Sequence, residues 1–129
     1  MHNPPLILVA DDDIGFQEIL ATKLKRSGFL VAEAHNGKEA VEKAVNLTPD
    51  LILCDINMPG ETGTEVVLDL MKGNETKGIK VLLITSMDNP WPAIKEKNEN
   101  FAKEIGATDF INKSTDLDSV IEKVKEVIK

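Results

Sequence analysis

Apolar and polar residues come along this chain in blocks. Short apolar runs recur at Leu6–Ala10 ("LILVA"), Leu30–Ala34 ("LVAEA"), Leu51–Cys54 ("LILC"), Lys80–Thr85 ("KVLLIT") and Asp109–Lys113 ("DFINK"). Runs of this length, bounded by turn residues, read as strands. Between them apolar residues return at intervals of three and four. Phe16, Ile19, Leu20 and Leu24 form one such set, and Ala40, Val41, Ala44 and Val45 a second. Val66, Val67 and Leu70 form a third, and Leu117, Val120, Ile121, Val124, Val127 and Ile128 the longest. That spacing puts each set on one face of a helix. Start signals agree: Asn36 with Glu39, Thr62 with Glu65 and Thr115 with Asp118 have capping-box spacing. Gly28, Gly37, Gly78 and Gly106 punctuate the junctions.

The pattern predicts a strand followed by a helix, five times over. Three of the strands are almost continuously apolar, so both of their faces are covered. An α/β fold with a parallel sheet between layers of helices meets that requirement. The stretch from Ser86 to Ala107 fits least well. Pro90 and Pro92 flank Trp91 and oppose a helix before about residue 92. From there to Ile105 a helix is expected, with few apolar positions.

Size and charge narrow the picture. A chain of 129 residues is one domain, here 1–129, large enough for a core of its own. The net charge of -7 opposes a basic nucleic-acid face and an anionic membrane surface. No apolar run approaches a membrane span, and "MHNPPLILVADDD" lacks the features of a secretory signal. The single cysteine, Cys54, can form no internal disulfide and fits a reducing compartment. The expectation is a cytoplasmic protein.

In an open α/β sheet, function gathers at the carboxyl ends of the strands. Asp11, Asp12 and Asp13 follow the first strand, Asp55 the third, Thr85 and Ser86 the fourth, and Lys113 ends the fifth. Carboxylates converging at one point repel one another unless a cation neutralises them. Lys113 supplies one positive charge. Oxygen donors without His or Cys suit a hard ion such as Mg²⁺ for the rest. A threonine hydroxyl and a lysine are donors that a phosphoryl group needs, and an aspartate can itself accept that group as an acyl phosphate. Asp13 reads as a helix-start residue and Cys54 as a small core residue. His2 and His35 read as solvent-facing, without ligand partners at metal spacing.

These motifs resemble a two-component response-regulator receiver domain of the chemotaxis-regulator type, and the likeness covers essentially the whole chain. The acidic pair matches Asp11 and Asp12 in "LILVADDD", and the phosphoacceptor matches Asp55 in "LILCDINMPG". The hydroxyl residue matches Thr85 in "VLLITS"; the switch aromatic and the lysine match Phe110 and Lys113 in "GATDFINK". The resemblance implies the flavodoxin-like receiver fold, a five-stranded parallel sheet in the order 2-1-3-4-5 with helices on both faces. It implies Mg²⁺ held by Asp11, Asp12, Asp55 and the main-chain carbonyl of Asn57, in a loop shaped by Met58, Pro59 and Gly60. It also implies a phosphoryl group received on Asp55 from a histidine kinase or a histidine phosphotransfer protein, and bound by Thr85 and Lys113. Phe110 would then turn inward and change a surface read by a downstream output protein or domain. Contacts with nucleic acid or membrane are not implied for this domain. It would be a signalling domain that assists its own phosphorylation and dephosphorylation, not an enzyme.

Two other readings are open to the same residues. A Mg²⁺-dependent phosphatase with an aspartate nucleophile needs a second carboxylate two residues on, where this chain has Asn57. A receiver-like binding module that never takes phosphate is opposed by the complete aspartate set. The chain also departs from the family pattern. Ser114 stands where a proline usually follows the lysine, and a cis bond before a non-proline costs ~2.5–4 kcal/mol, so a trans bond is expected. The segment from Thr85 to Gly106 is longer than usual and is expected to carry Trp91 close to the site. The resemblance places Asn57 and Met87 beside the water that would attack the acyl phosphate. Met87 orients water poorly, which predicts slow self-dephosphorylation.

Overall fold

The structure, a computed structural model, describes residues 2–56, 58, 62–85, 106–113 and 115–128, with Thr85 described through its main chain. In chain order the elements are β1 (Leu6–Ala10), α1 (Ile14–Arg26), β2 (Leu30–Ala34), α2 (Gly37–Leu47), β3 (Leu51–Asp55), α3 (Gly63–Lys72), β4 (Lys80–Thr85), β5 (Asp109–Asn112) and a helix Leu117–Ile128, here α4. All five strands run parallel in the order β2-β1-β3-β4-β5. The α/β class, the strand order and every predicted strand are therefore present. The helix expected between residue 92 and Ile105 lies outside the described residues.

Strand side chains alternate between the two faces, and each face has its own core. Leu8, Ala10, Ile52, Cys54, Val81 and Leu83 pack with Ala40 and Ala44 of α2 and Val66, Val67 and Leu70 of α3. On the opposite face Ile7, Val9, Leu51, Leu53, Leu82, Ile84 and Ile111 pack with Leu20 and Leu24 of α1 and Val120, Ile121 and Val124 of α4. β1 and β3 are buried throughout, which explains their unbroken apolar runs. β2 and β5 form the edges and are only partly buried.

Some expectations need correction. Ile19 is exposed on α1, and Gln17 takes the buried position beside Leu20 and Leu24. The reason is polar: Gln17 Nε2 donates to the carbonyls of Val9 (2.9 Å) and Ala34 (2.8 Å) at the ends of β1 and β2. Val45 is exposed as well, because α2 turns Gly37, Ala40 and Ala44 to the sheet, with Val41 packed beside them. The start of α4 is capped one residue later than the spacing suggests. Asp116, not Thr115, accepts the Ser119 N–H (2.9 Å) and the Ser119 hydroxyl (2.9 Å). The other start signals hold: Asn36 caps Glu39, and Thr62 with Glu65 forms a complete capping box.

α3 seats very close to the end of β3. The Gly63 N–H donates to the Ile56 carbonyl at 2.7 Å. A Cβ at position 63 would lie 2.5 Å from the Asp55 carbonyl oxygen and 2.8 Å from the Ile56 Cα. Both are backbone atoms and cannot swing aside, so only glycine permits this approach.

Two outcomes follow from this packing. Gly63→Ala should lower stability to urea by about 1–3 kcal/mol, whereas Gly→Ala in an open helix would raise it; an unchanged or higher midpoint would contradict the tight seat. At α4, Asp116→Ala should lower the urea midpoint at neutral pH and Thr115→Ala should leave it nearly unchanged. The Ser119 N–H holds the Asp116 carboxyl below its ordinary pKa. A carboxylate depressed on folding stabilises above the unfolded Asp pKa of about 3.9 and loses that effect as pH falls through the folded value. The difference between wild type and Asp116→Ala should therefore shrink on acidification below about pH 4.

Candidate functional site

Alternation along the strands carries the polar residues to one place. Asp11 continues the row Ile7–Val9, Asp55 continues Leu51–Leu53, and Lys113 continues from Ile111, all on the face covered by α1 and α4. Parallel pairing sets Ala10 beside Cys54 and Cys54 beside Leu83, so the strand ends coincide. Asp11 and Asp55 are buried, at 1% and 5% exposure, and Asp12 is exposed. One carboxylate oxygen from each of the three lies within 4.8 Å of the others.

Lys113 Nζ stands 3.0 Å from Asp11 Oδ2 and 3.4 Å from Asp55 Oδ2, and donates a hydrogen bond to Asp11 Oδ1 at 3.2 Å. Burial acts to lower the Lys113 pKa, but the hydrogen bond to Asp11 and the charges of Asp55 and Asp11 outweigh it and raise the value. The ammonium is thus charged throughout the neutral range. The same surroundings act the other way on Cys54. Burial above all, then the Asp55 and Asp11 charges, push its thiol pKa far up, so Cys54 is a neutral core residue.

The donor set fits a divalent cation. With all groups charged, three carboxylates and one ammonium leave a formal charge of -2. Asp11 Oδ2 is buried without an aligned hydrogen bond; its contact with Lys113 is ionic, and an oxygen in that condition suits a metal. The donors are all oxygens, as a hard ion requires. Among the described residues these three aspartates are the only group of His, Cys, Asp and Glu so placed.

The surroundings hold this arrangement. Asp11 Oδ1 accepts the Asp13 N–H at 2.8 Å, and Asp13 caps α1 by accepting the Phe16 N–H at 3.1 Å. Asp13 is a helix-start residue, as expected. Lys113 Nζ also lies over the Phe16 ring, 4.7 Å from its centroid. The sequence placed Phe16 on a helical face without assigning it to the site; the available signal was its place three residues after the cap, beside the acidic run. Phe110 is half-buried and packs on the core of the α2–α3 face. Thr85 closes β4 with its main chain opposite Asn112. Its side chain lies outside the described residues, as do Asn57, Met87, Trp91 and Ser114. His35 is exposed and pairs with Glu39, Nδ1 to Oε1 3.2 Å. His2 is not fully solvent-facing: its Nε2 lies 3.0 Å from the Leu47 carbonyl and 3.2 Å from that of Thr48, since the segment before β1 folds back on the end of α2.

Comparison with known proteins places this geometry. Residues 7–125 match the family described as the response regulator receiver domain. Protein PilH of Pseudomonas aeruginosa is 31% identical over 122 residues, 95% of this chain and 96% of PilH. The transcriptional regulatory protein ResD of Bacillus subtilis is 32% identical over 127 residues, 98% of this chain and 49% of ResD. RpaA of Synechocystis, a DNA-binding dual master transcriptional regulator, is 30% identical and matched over 49% of its length. The chain thus spans about half the length of ResD and RpaA. The structure of the chemotaxis response regulator CheY4 of Vibrio cholerae superposes with a TM-score of 0.83 at 28% identity, covering 95% of this chain and 98% of that one. The Francisella response regulator 1452 receiver domain gives 0.83 at 27% identity, with 96% of both chains covered. No helix among the described residues is long and apolar enough to cross a membrane. The chain belongs to the response regulator receiver domain family, the receiver domains of two-component signalling.

Proposed function

We propose that Asp55 is the phosphoacceptor of a single receiver domain spanning residues 1–129. The observation that carries this reading is the Asp55 carboxylate itself: buried at a strand end, within 4.8 Å of Asp11 and Asp12, and paired with Lys113. Receiver domains generally bind Mg²⁺ at an acidic pocket and interact with histidine kinases and output domains. Here Asp11, Asp12, Asp55 and the Asn57 carbonyl would hold Mg²⁺, which when bound neutralises charge on the phosphoryl oxygens. The donor is a phosphohistidine of a histidine kinase or a histidine phosphotransfer protein. An Asp55 oxygen attacks phosphorus, the P–N bond breaks, and the imidazole leaves and takes up a proton. Asp55 becomes an acyl phosphate. Lys113 and Thr85 bind its oxygens by charge-assisted and hydroxyl hydrogen bonds.

The new group adds about −1.5 to −2 charge. Moving a two-state equilibrium from 1:99 to 99:1 takes ~5.5 kcal/mol, and a hydrogen bond to a charged group is worth ~1.5–3 kcal/mol. Two or three new bonds suffice to turn Phe110 inward and alter the surface that an output protein or domain reads. The domain assists its own phosphorylation and dephosphorylation and turns over no separate substrate. The reading keeps nucleic acid and membrane away from this domain and places it in the cytoplasm.

Incubation with acetyl phosphate and Mg²⁺ should add one phosphoryl group by mass spectrometry, and Asp55→Asn or excess chelator should abolish it. Mg²⁺ at about 100 times its Kd should also stabilise the fold by ~2.7 kcal/mol. Full labelling of Asp55→Asn, or labelling indifferent to chelator, overturns the assignment.

The lifetime of the acyl phosphate is set by how well an attacking water is oriented. Asn57 can hydrogen-bond that water, and Met87 offers only a weak acceptor. Slow decay is the expected behaviour, and Met87→Glu should shorten the half-life of phospho-Asp55 in excess Mg²⁺. A variant that decays no faster removes Met87 from this role.

A further inference from the structure

Lys113 sits on the weakest part of the sheet. β5 has four residues, is an edge strand, and buries only Ile111 fully. The side chain beyond it is long and flexible. Its described ionic partners are Asp11 and Asp55, and both are groups that the proposed chemistry occupies. Asp11 turns to the metal, and Asp55 becomes the acyl phosphate. One contact is independent of both events. Lys113 Nζ lies 4.7 Å from the centroid of the Phe16 ring, well inside the ~6 Å range over which a ring face attracts a cation.

Phe16 is held far more firmly than Lys113. Its N–H is fixed by the Asp13 carboxylate at 3.1 Å. Its ring packs against the core formed by β1, β3, β4, α1 and α4. Asp13 in turn is tied through its N–H to Asp11 Oδ1 at 2.8 Å. The contacts close a ring: Asp11 to Asp13, Asp13 to Phe16, Phe16 to Lys113, and Lys113 back to Asp11.

We infer that Phe16 is a positioning residue, whose ring face holds the Lys113 ammonium where the phosphoryl group arrives. The inference rests on the reading of Asp55 as phosphoacceptor. It assigns the ring an electrostatic task beyond filling space, since an aliphatic residue would fill the same volume without attracting the cation.

The test separates ring electrostatics from packing. Mono-, di- and trifluorophenylalanine placed at position 16 of the full chain keep the shape and progressively weaken the negative ring face. With acetyl phosphate and excess Mg²⁺, the rate of Asp55 phosphorylation should fall stepwise along the series. Phe16→Leu should lose roughly 2- to 30-fold, and Phe16→Tyr should stay within about twofold of wild type. Independently of activity, the Lys113 Cε protons should show an upfield ring-current shift by NMR, with and without Mg²⁺, that is absent in Phe16→Leu. Rates flat across the fluorinated series, or Lys113 protons without the shift, overturn the inference and leave Phe16 as packing. A wild type that takes no phosphoryl group on Asp55 overturns the functional reading instead, and the inference falls with it as a statement about phosphoryl transfer.

Discussion

Two buried carboxylates share one ammonium at the edge of this sheet, and much of the molecule is arranged around that pairing. Asp11 and Asp55 are almost without solvent, and charges so placed are costly unless they are paired and hydrogen-bonded. Lys113 meets both, yet its single charge cannot balance two carboxylates, still less three with Asp12. The site is left with a negative excess inside a well-packed frame. Such an excess favours the binding of a divalent cation.

The frame resists that repulsion because the polar groups project from its most rigid parts. β1 and β3 are covered on both faces, so their ends cannot spread apart without opening two cores at once. Helices lock the corners. α1 begins beside Asp11 through the Asp13 cap, and Gln17 ties the same helix to the Val9 and Ala34 carbonyls. α3 begins against the Asp55 and Ile56 backbone because Gly63 lacks a side chain. Both helices therefore bring their N-termini toward the acidic edge, where the positive end of the helix dipole favours anions.

The sequence showed much of this because its strongest signals are local. The unbroken runs at Leu6–Ala10 and Leu51–Cys54 announced buried strands, and the parallel arrangement was enough to bring Asp11 and Asp55 to one edge of the sheet. The strand order was not visible in periodicity; it came from the likeness of the acidic, hydroxyl and lysine motifs to receiver domains. The misses have physical causes. Gln17 breaks the apolar stripe, but its amide N–H group reaches the Val9 and Ala34 carbonyls at the strand ends and is satisfied there. Ile19 looks buried by spacing, yet α1 packs on the side that holds Gln17. Asp116 displaced Thr115 as a cap because either residue can start a helix at that point, and only the backbone path decides between them. The Phe16 contact with Lys113 joins residues far apart in the chain, and no one-dimensional pattern encodes it.

The two halves of the site are held with unequal strength, and this bears on how a signal could leave it. The carboxylates stand on β1 and β3, where departure from position would expose buried Leu and Ile. The ammonium stands after β5, an edge strand that is itself only partly buried. Structural elements with few buried contacts open and shift at low free energy, while central strands move only with global unfolding. On the proposed reading of Asp55 as phosphoacceptor, a change of charge there would be met by movement on the β5 side; Phe110 lies on that same strand, three residues before Lys113. Phe110 packs on the α2–α3 face and Lys113 continues the row on the α1–α4 face. A small rotation of β5 that drew Lys113 closer to Asp55 would also disturb the packing of Phe110. The fold thus joins Lys113 to a side chain packed on the other layer through a partly buried edge strand.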